Sequence, residues 1–119
     1  MSKPILLDAF YTQVSDLLGE LARVFPYDLD FPAYRTQFHI LKKTNPGLPL
    51  KQLGMYAPTI EPLIKSRDAE AFFTWDVPSG FESLVDKLHG YWDHMTPENR
   101  AIVWSYLHLL TQIASRYIA

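Results

Sequence analysis

Hydrophobic residues in the first part of the chain recur at spacings of three and four. Between about Ile5 and Val24 polar residues fill the positions between them, which is typical of a helix that buries one face. The apolar positions are Leu6, Phe10, Val14, Leu17, Leu18 and Leu21. Phe25-Pro26 ends this segment, because a residue before proline is pushed out of the helical backbone region. The pattern predicts a long amphipathic first helix.

A second helix is predicted between a turn at residues 26–32 and the sequence Asn45-Pro46-Gly47. Asp30 is the expected N-cap, with Pro32 in the first turn, where a missing N–H costs little. Asn-Pro-Gly combines a helix stop with turn-forming residues, so the helix should end near Thr44. Its predicted buried side contains Phe31, Tyr34, Phe38 and Leu41.

Prolines divide the region from 48 to 75 into short predicted segments. Pro49 can open one short helix, and Pro58 is expected to restart or kink the chain into the segment Thr59 to Ser66. Asp68 to Trp75 is predicted to form a further helical turn.

Two more helices are predicted after a break at 76–80. Ser79 and Glu82 fit the S-x-x-E capping box at the start of the first, which continues to about Trp92. Thr96-Pro97-Glu98 supplies a hydroxyl N-cap, a first-turn proline and an acid near the positive helix end. The last helix has a wide apolar face, which predicts a central position. Its predicted inward residues are Ile102, Tyr106, Leu109, Leu110, Ile113 and Tyr117.

The fold class predicted from these segments is all-α. No stretch alternates polar and apolar residues over the length of a strand, and 119 residues suffice for one core. We expect residues 1–119 to form a single compact bundle of about five or six helices. Three long helices should pack together, with shorter ones between 48 and 75.

Composition narrows the functional classes. Hydrophobic residues make up 48% and charged residues 20% of the chain, and cysteine is absent, which excludes disulfides and thiolate metal sites. The longest nearly uncharged stretch, Ala101 to Ser115, is too short and too polar for a membrane span. Asp8 interrupts the first apolar run, so a secretory signal is not expected.

The charge of the chain does not favour nucleic acid as a partner. The formal net charge is −2, and the basic residues are scattered along the sequence. Binding to nucleic acid would require a common face for Lys42, Lys43, Lys51 and Lys65. We therefore do not expect it.

No catalytic motif, metal motif or cofactor-binding motif is recognisable. The four histidines do not form H-E-x-x-H, and no glycine-rich phosphate loop or nucleophile elbow is present. Two polar groups could still form a small metal-dependent or catalytic site, although solvated surface residues are the preferred interpretation. They are His89, Asp93 and His94, and the acidic residues Asp68, Glu70 and Asp76.

Aromatic residues, 14% of the chain, are abundant for a small core. Aromatic side chains with a polar tip are favoured at protein interfaces as well as in half-buried positions. We therefore take Trp104, Trp75, Tyr91 and Tyr56 as candidate interaction residues. Trp104 falls roughly opposite Ile102 and Leu109 on its helix. It is either packed under the short middle helices, which we favour, or exposed as an anchor for a partner.

The chain resembles a group of uncharacterised small helical proteins of nucleocytoplasmic large DNA viruses, especially algal viruses and mimivirus relatives. The similarity covers nearly the whole chain but consists of packing motifs. These are Val24-Phe25-Pro26, the Phe31-to-Asn45 helix, Asn45-Pro46-Gly47, the Asp68-to-Asp76 stretch with Phe72-Phe73, Tyr91-Trp92, and Val103-Trp104-x-Tyr106-Leu107. The resemblance implies a viral origin and synthesis in the cytoplasm of an infected host cell, and it implies no activity.

The sequence leads to one preferred functional hypothesis and three alternatives. The preferred one is a non-enzymatic interaction module that binds a viral or host protein. The first alternative is a small virion or capsid-associated protein, for which self-association is expected. The others are the small metal-dependent enzyme and the nucleic-acid-binding protein considered above.

Overall fold

The computed structural model describes residues 2–75 and 81–119, and these residues form six α-helices, one 3₁₀ turn and no strands. The all-α prediction is therefore confirmed. The helices are α1 (Lys3–Val24), α2 (Asp30–Thr44), α3 (Leu48–Ser66), α4 (Ala69–Thr74), α5 (Glu82–Tyr91) and α6 (Pro97–Ile118), and the 3₁₀ turn covers Trp92–His94.

Helix α6 packs against both α1 and α3, and α2 packs against α1. The predicted central position of the last helix is confirmed. Its start also follows the prediction, because the Thr96 hydroxyl accepts a hydrogen bond of 3.1 Å from the backbone N–H of Asn99, with Pro97 in the first turn. The buried face of α6 differs in part from the prediction, since Leu109 is exposed, Ile102 and Tyr106 are half-buried, and Trp104 is buried.

Helix α3 is the largest departure from the sequence prediction. We expected a short helix from Pro49 and a restart or kink at Pro58, but Leu48–Ser66 is one helix with Pro58 and Pro62 inside it. Each proline removes one backbone hydrogen bond from the helix. Both prolines lie on the exposed side, whereas the opposite side is buried. Burial of a continuous apolar face is the tertiary interaction that compensates for the two missing bonds.

The close contact between α3 and α6 centres on Gly54. A Cβ at this position would lie 2.7 Å from the carbonyl oxygen of Ala114 and 3.0 Å from two side-chain carbons of Ile118. Only a residue without a side chain allows the two backbones to approach so closely. Gly54 therefore sets the distance between the two helices.

One helix start differs in detail from the prediction. Asp30 was the predicted N-cap of α2, but the helix begins at Asp30 and its N-cap residue is Leu29. The carboxylate that accepts a backbone hydrogen bond at this helix start is that of Asp28, and the donor is the N–H of Asp30, 3.0 Å away. The predicted capping box of α5 depends on Ser79, which lies outside the described residues.

Candidate interaction surface

Trp104, the first of the four candidate interaction residues, belongs to the core. Its side chain is 5% exposed. The indole packs edge-on against Phe72 of α4 and Trp92 of the 3₁₀ turn, with ring centroids 5.6 Å and 5.2 Å apart. These two elements cover the side of α6 that carries Trp104, so the packing interpretation applies in this structure.

Tyr56 and Trp75 lie together, although 19 positions separate them in the sequence. Their rings are edge-to-face with centroids 5.5 Å apart. Tyr56 is exposed and Trp75 is half-buried, with its other side near Phe72. The pair forms a small aromatic contact between α3 and the end of α4.

Tyr91 belongs to a separate aromatic cluster at the turn between α1 and α2. Its ring lies flat against Phe25, with centroids 3.9 Å apart and an angle of 18° between the planes. Phe31, which is fully buried, packs near both rings, with its centroid 6.1 Å from that of Phe25 and 6.0 Å from that of Tyr91. The end of α5 is thereby attached to the turn that follows α1.

The turn between α1 and α2 is held by one carboxylate. Asp28 accepts hydrogen bonds from the Tyr91 hydroxyl and from the backbone N–H of Asp30, and its Oδ2 lies 3.1 Å from the Lys87 ammonium. Lys87 also contacts Asp30 at 2.6 Å. Two donors on α5 and the backbone N–H at the start of α2 therefore fix the position of Asp28, which restricts the backbone on either side of it.

These contacts shift the pKa values of Asp28, Lys87 and Tyr91 in the directions that favour the contacts. The pKa of Asp28 is lowered mainly by the hydrogen bond from the Tyr91 hydroxyl. The hydrogen bond from the Asp30 amide and the contact with Lys87 lower it further. The two carboxylates raise the pKa of Lys87 above its usual value. The Asp28 contact raises the pKa of the Tyr91 phenol, which stays protonated as a donor.

Two large apolar side chains project from this fixed turn. Tyr27 is 97% exposed and Leu29 is 77% exposed. They border an open concavity of about 740 Å³, which is lined by Val24, Phe25, Pro26, Tyr27, Asp28, Leu29 and Tyr91. We call this region the turn surface. Of the four candidate residues chosen from the sequence, it contains Tyr91.

Sequence reasoning did not select Tyr27 or Leu29 as site residues. The available signal was position, because both stand in a proline-bounded turn where no helical face could bury them. Leu29 in particular lies between two aspartates. An apolar residue in such a setting is a candidate for contact with another molecule.

Three of the polar residues that the sequence offered for a catalytic or metal site make other contacts. The His89 imidazole stacks on Phe73 with ring centroids 4.7 Å apart, and Asp93 lies 4.0 Å from the guanidinium of Arg100. The Asp68 carboxylate caps α4 by accepting the N–H of Ala71 at 3.1 Å. Asp76 lies outside the described residues. Within residues 2–75 and 81–119, no three His, Asp or Glu side chains converge in an arrangement able to hold a metal ion.

No helix among the described residues has the length and apolar character that crossing a membrane requires. Comparison with protein families, curated proteins and solved structures gives no match to this chain.

Proposed function

We propose that the protein is a non-enzymatic helical interaction module that binds another protein through the turn surface. The single observation that carries this proposal is the exposure of Tyr27 and Leu29 on a turn fixed by Asp28. Tyrosine supplies a large contact area at a low cost in side-chain entropy. A turn that is already ordered loses little further freedom when a partner binds, which favours affinity.

The resemblance to proteins of large DNA viruses suggests where the partner is found. We propose that it is a viral or host protein in the cytoplasm of an infected cell. The same resemblance supports the alternative of a virion component, in which the turn surface would contact a second copy of the chain.

The experiment begins with a pull-down of tagged protein from infected cells at physiological salt, with mass spectrometry to identify what is retained. The purified partner is then titrated against three forms by calorimetry: the unchanged protein, a Tyr27→Ser/Leu29→Ser double variant, and a Met55→Ser control. Met55 is also well exposed, at 72%, but lies on α3.

The double variant should bind at least tenfold more weakly, because an interface anchor contributes more than about 1.4 kcal/mol. The Met55→Ser control should bind normally, and all three forms should unfold at similar temperatures, because exposed side chains contribute little to stability. Unchanged affinity of the double variant would refute the role of the turn surface. Sedimentation equilibrium tests the alternative, since a dimer lost in the double variant would identify a second copy as the occupant.

A further inference from the structure

A second cleft lies between the C-terminal end of α3 and the middle of α6, apart from the turn surface. Its volume is about 250 Å³, and it is lined by Ile64, Lys65, Arg67, Trp104, Ser105 and His108. Two of these side chains are cationic and a third is an imidazole. The described lining residues include no carboxylate, although the chain as a whole is acidic.

Arg67 has an unusual backbone conformation. Its φ of 54° and ψ of 40° fall in the left-handed region, and among the described residues it is the only non-glycine with a positive φ. The N–H groups of Arg67 and Asp68 donate to the carbonyls of Ile64 and Leu63, which is the Schellman arrangement that ends a helix. Glycine is the usual residue at this position, because a side chain is disfavoured there.

The strain at Arg67 motivates a functional interpretation of the cleft. Glycine would end α3 with the same hydrogen bonds and less strain, so the arginine is not explained by helix termination. Strained backbone conformations are concentrated at binding and catalytic sites. The left-handed residue, Arg67, lines the cleft together with Lys65 and His108.

The charges around the cleft are only weakly neutralised by neighbouring acids. Lys65 lies 3.9 Å from Glu61, at the outer limit of an ion pair. Among residues 2–75 and 81–119, no carboxylate lies within ion-pair distance of Arg67. The C-terminal end of α3 carries the negative end of the helix dipole, which disfavours a bound anion. Two of its terminal carbonyls accept the Schellman hydrogen bonds, which reduces this effect.

We propose that this cleft binds a small ligand through a single phosphate-type anion. The Arg67 guanidinium can donate two parallel hydrogen bonds to phosphate oxygens, and the Lys65 ammonium and the His108 ring can supply further donors. The Ser105 hydroxyl already donates to the carbonyl of Ala101 at 3.0 Å, so the basic side chains provide the recognition. The phosphate could be free or could belong to a mononucleotide, and the experiment distinguishes these two sources.

The test is an NMR titration of isotope-labelled full-length protein with inorganic phosphate and, separately, with adenosine monophosphate. We expect saturable shifts confined to the backbone amides of residues 64–68 and 104–108, and weaker binding as sodium chloride is added. Affinity for the mononucleotide at least tenfold above that for phosphate would identify the nucleotide as the source. Equal affinities would identify the phosphate group alone.

The decisive variant is Arg67→Gly, which removes the guanidinium and the backbone strain together. It should bind phosphate at least tenfold more weakly while its melting temperature stays the same or rises, a combination that a merely structural arginine would not give. Lys43→Gln removes the same charge from α2 and should bind normally. Lys65→Gln should weaken binding without relieving strain.

Three results would overturn the proposal. The first is normal phosphate binding by Arg67→Gly. The second is a set of shifts that do not saturate or that are spread over all basic residues. The third is binding of an oligonucleotide when neither phosphate nor the mononucleotide binds.

Discussion

Gly54 offers the sharpest test of the packing between α3 and α6. In Gly54→Ala the new Cβ would lie 2.7 Å from the Ala114 carbonyl oxygen, where ordinary contact begins at 3.4 Å. The Ile118 side chain is partly exposed and can move aside, but the carbonyl belongs to a helix and cannot. Relief of the overlap requires the helices to separate by about 0.7 Å, which would forfeit part of the dispersion attraction along the interface.

The expected loss of stability is the difference between two opposing effects. Overpacking of a close contact costs roughly 1–3 kcal/mol. Alanine is a better helix former than glycine by about 1 kcal/mol, which offsets part of this cost. The difference is a net destabilisation of about 0–2 kcal/mol, centred on about 1 kcal/mol. At a typical unfolding entropy per residue, a loss of about 1 kcal/mol lowers the melting temperature by roughly 4 °C in a chain of 119 residues.

Gly19→Ala is the matched control, because it makes the same change in the middle of α1. A Cβ there would lie 3.8 Å from the Arg35 guanidinium, an ordinary contact. This variant should gain about 0.5–1 kcal/mol from the helix preference of alanine. Urea unfolding followed by circular dichroism, with calorimetry for the melting temperature, measures both. The packing argument fails if Gly54→Ala is as stable as the unchanged protein, or if the two variants lose equal stability.

Two further predictions follow from individual side chains. Because the pKa of Asp28 is lowered in the folded protein, its contribution to stability is present above the unfolded pKa of about 3.9 and is lost as the pH falls through the folded value. Asp28→Asn should therefore have a lower free energy of unfolding than the unchanged protein in urea at pH 7, and this difference should shrink below about pH 4. A difference that does not change with pH would contradict the role given to the Asp28 carboxylate. Trp104→Ala should lose roughly 3–5 kcal/mol in the same unfolding assay at neutral pH, since it empties a buried aromatic site, whereas a loss below about 1 kcal/mol would mean that Trp104 is not packed as described.

The helices at the two ends of the chain were predictable because their local signals agree with their packing. The three- and four-residue spacing up to Val24 and the Thr96-Pro97 start reappear in α1 and α6. The division of α3 into short helices was predicted wrongly for the opposite reason. A local rule for proline was overridden by the burial of α3 against α6, and such burial depends on residues 40 to 60 positions away in the chain.

The candidate surface was predictable only in part. Tyr91 was selected because it is aromatic, but the Phe25 ring and the Asp28 carboxylate that hold it lie more than sixty positions earlier in the chain. The solvent exposure of Tyr27 and Leu29, and the burial of Trp104, depend on which helices cover which faces. No periodicity in the sequence specifies that arrangement.

The sequence by itself determined the all-α class, the limits of most helices and their apolar faces, because helix formation and capping depend on neighbours within about four residues. Only the tertiary structure decided that α3 continues through two prolines, that Trp104 is buried, that Asp28 holds the turn surface, and that Lys65, Arg67 and His108 meet at one cleft. The physical reason is the range of the interactions. Packing and charge contacts join residues that are distant in the chain, and their geometry exists only after the helices have assembled.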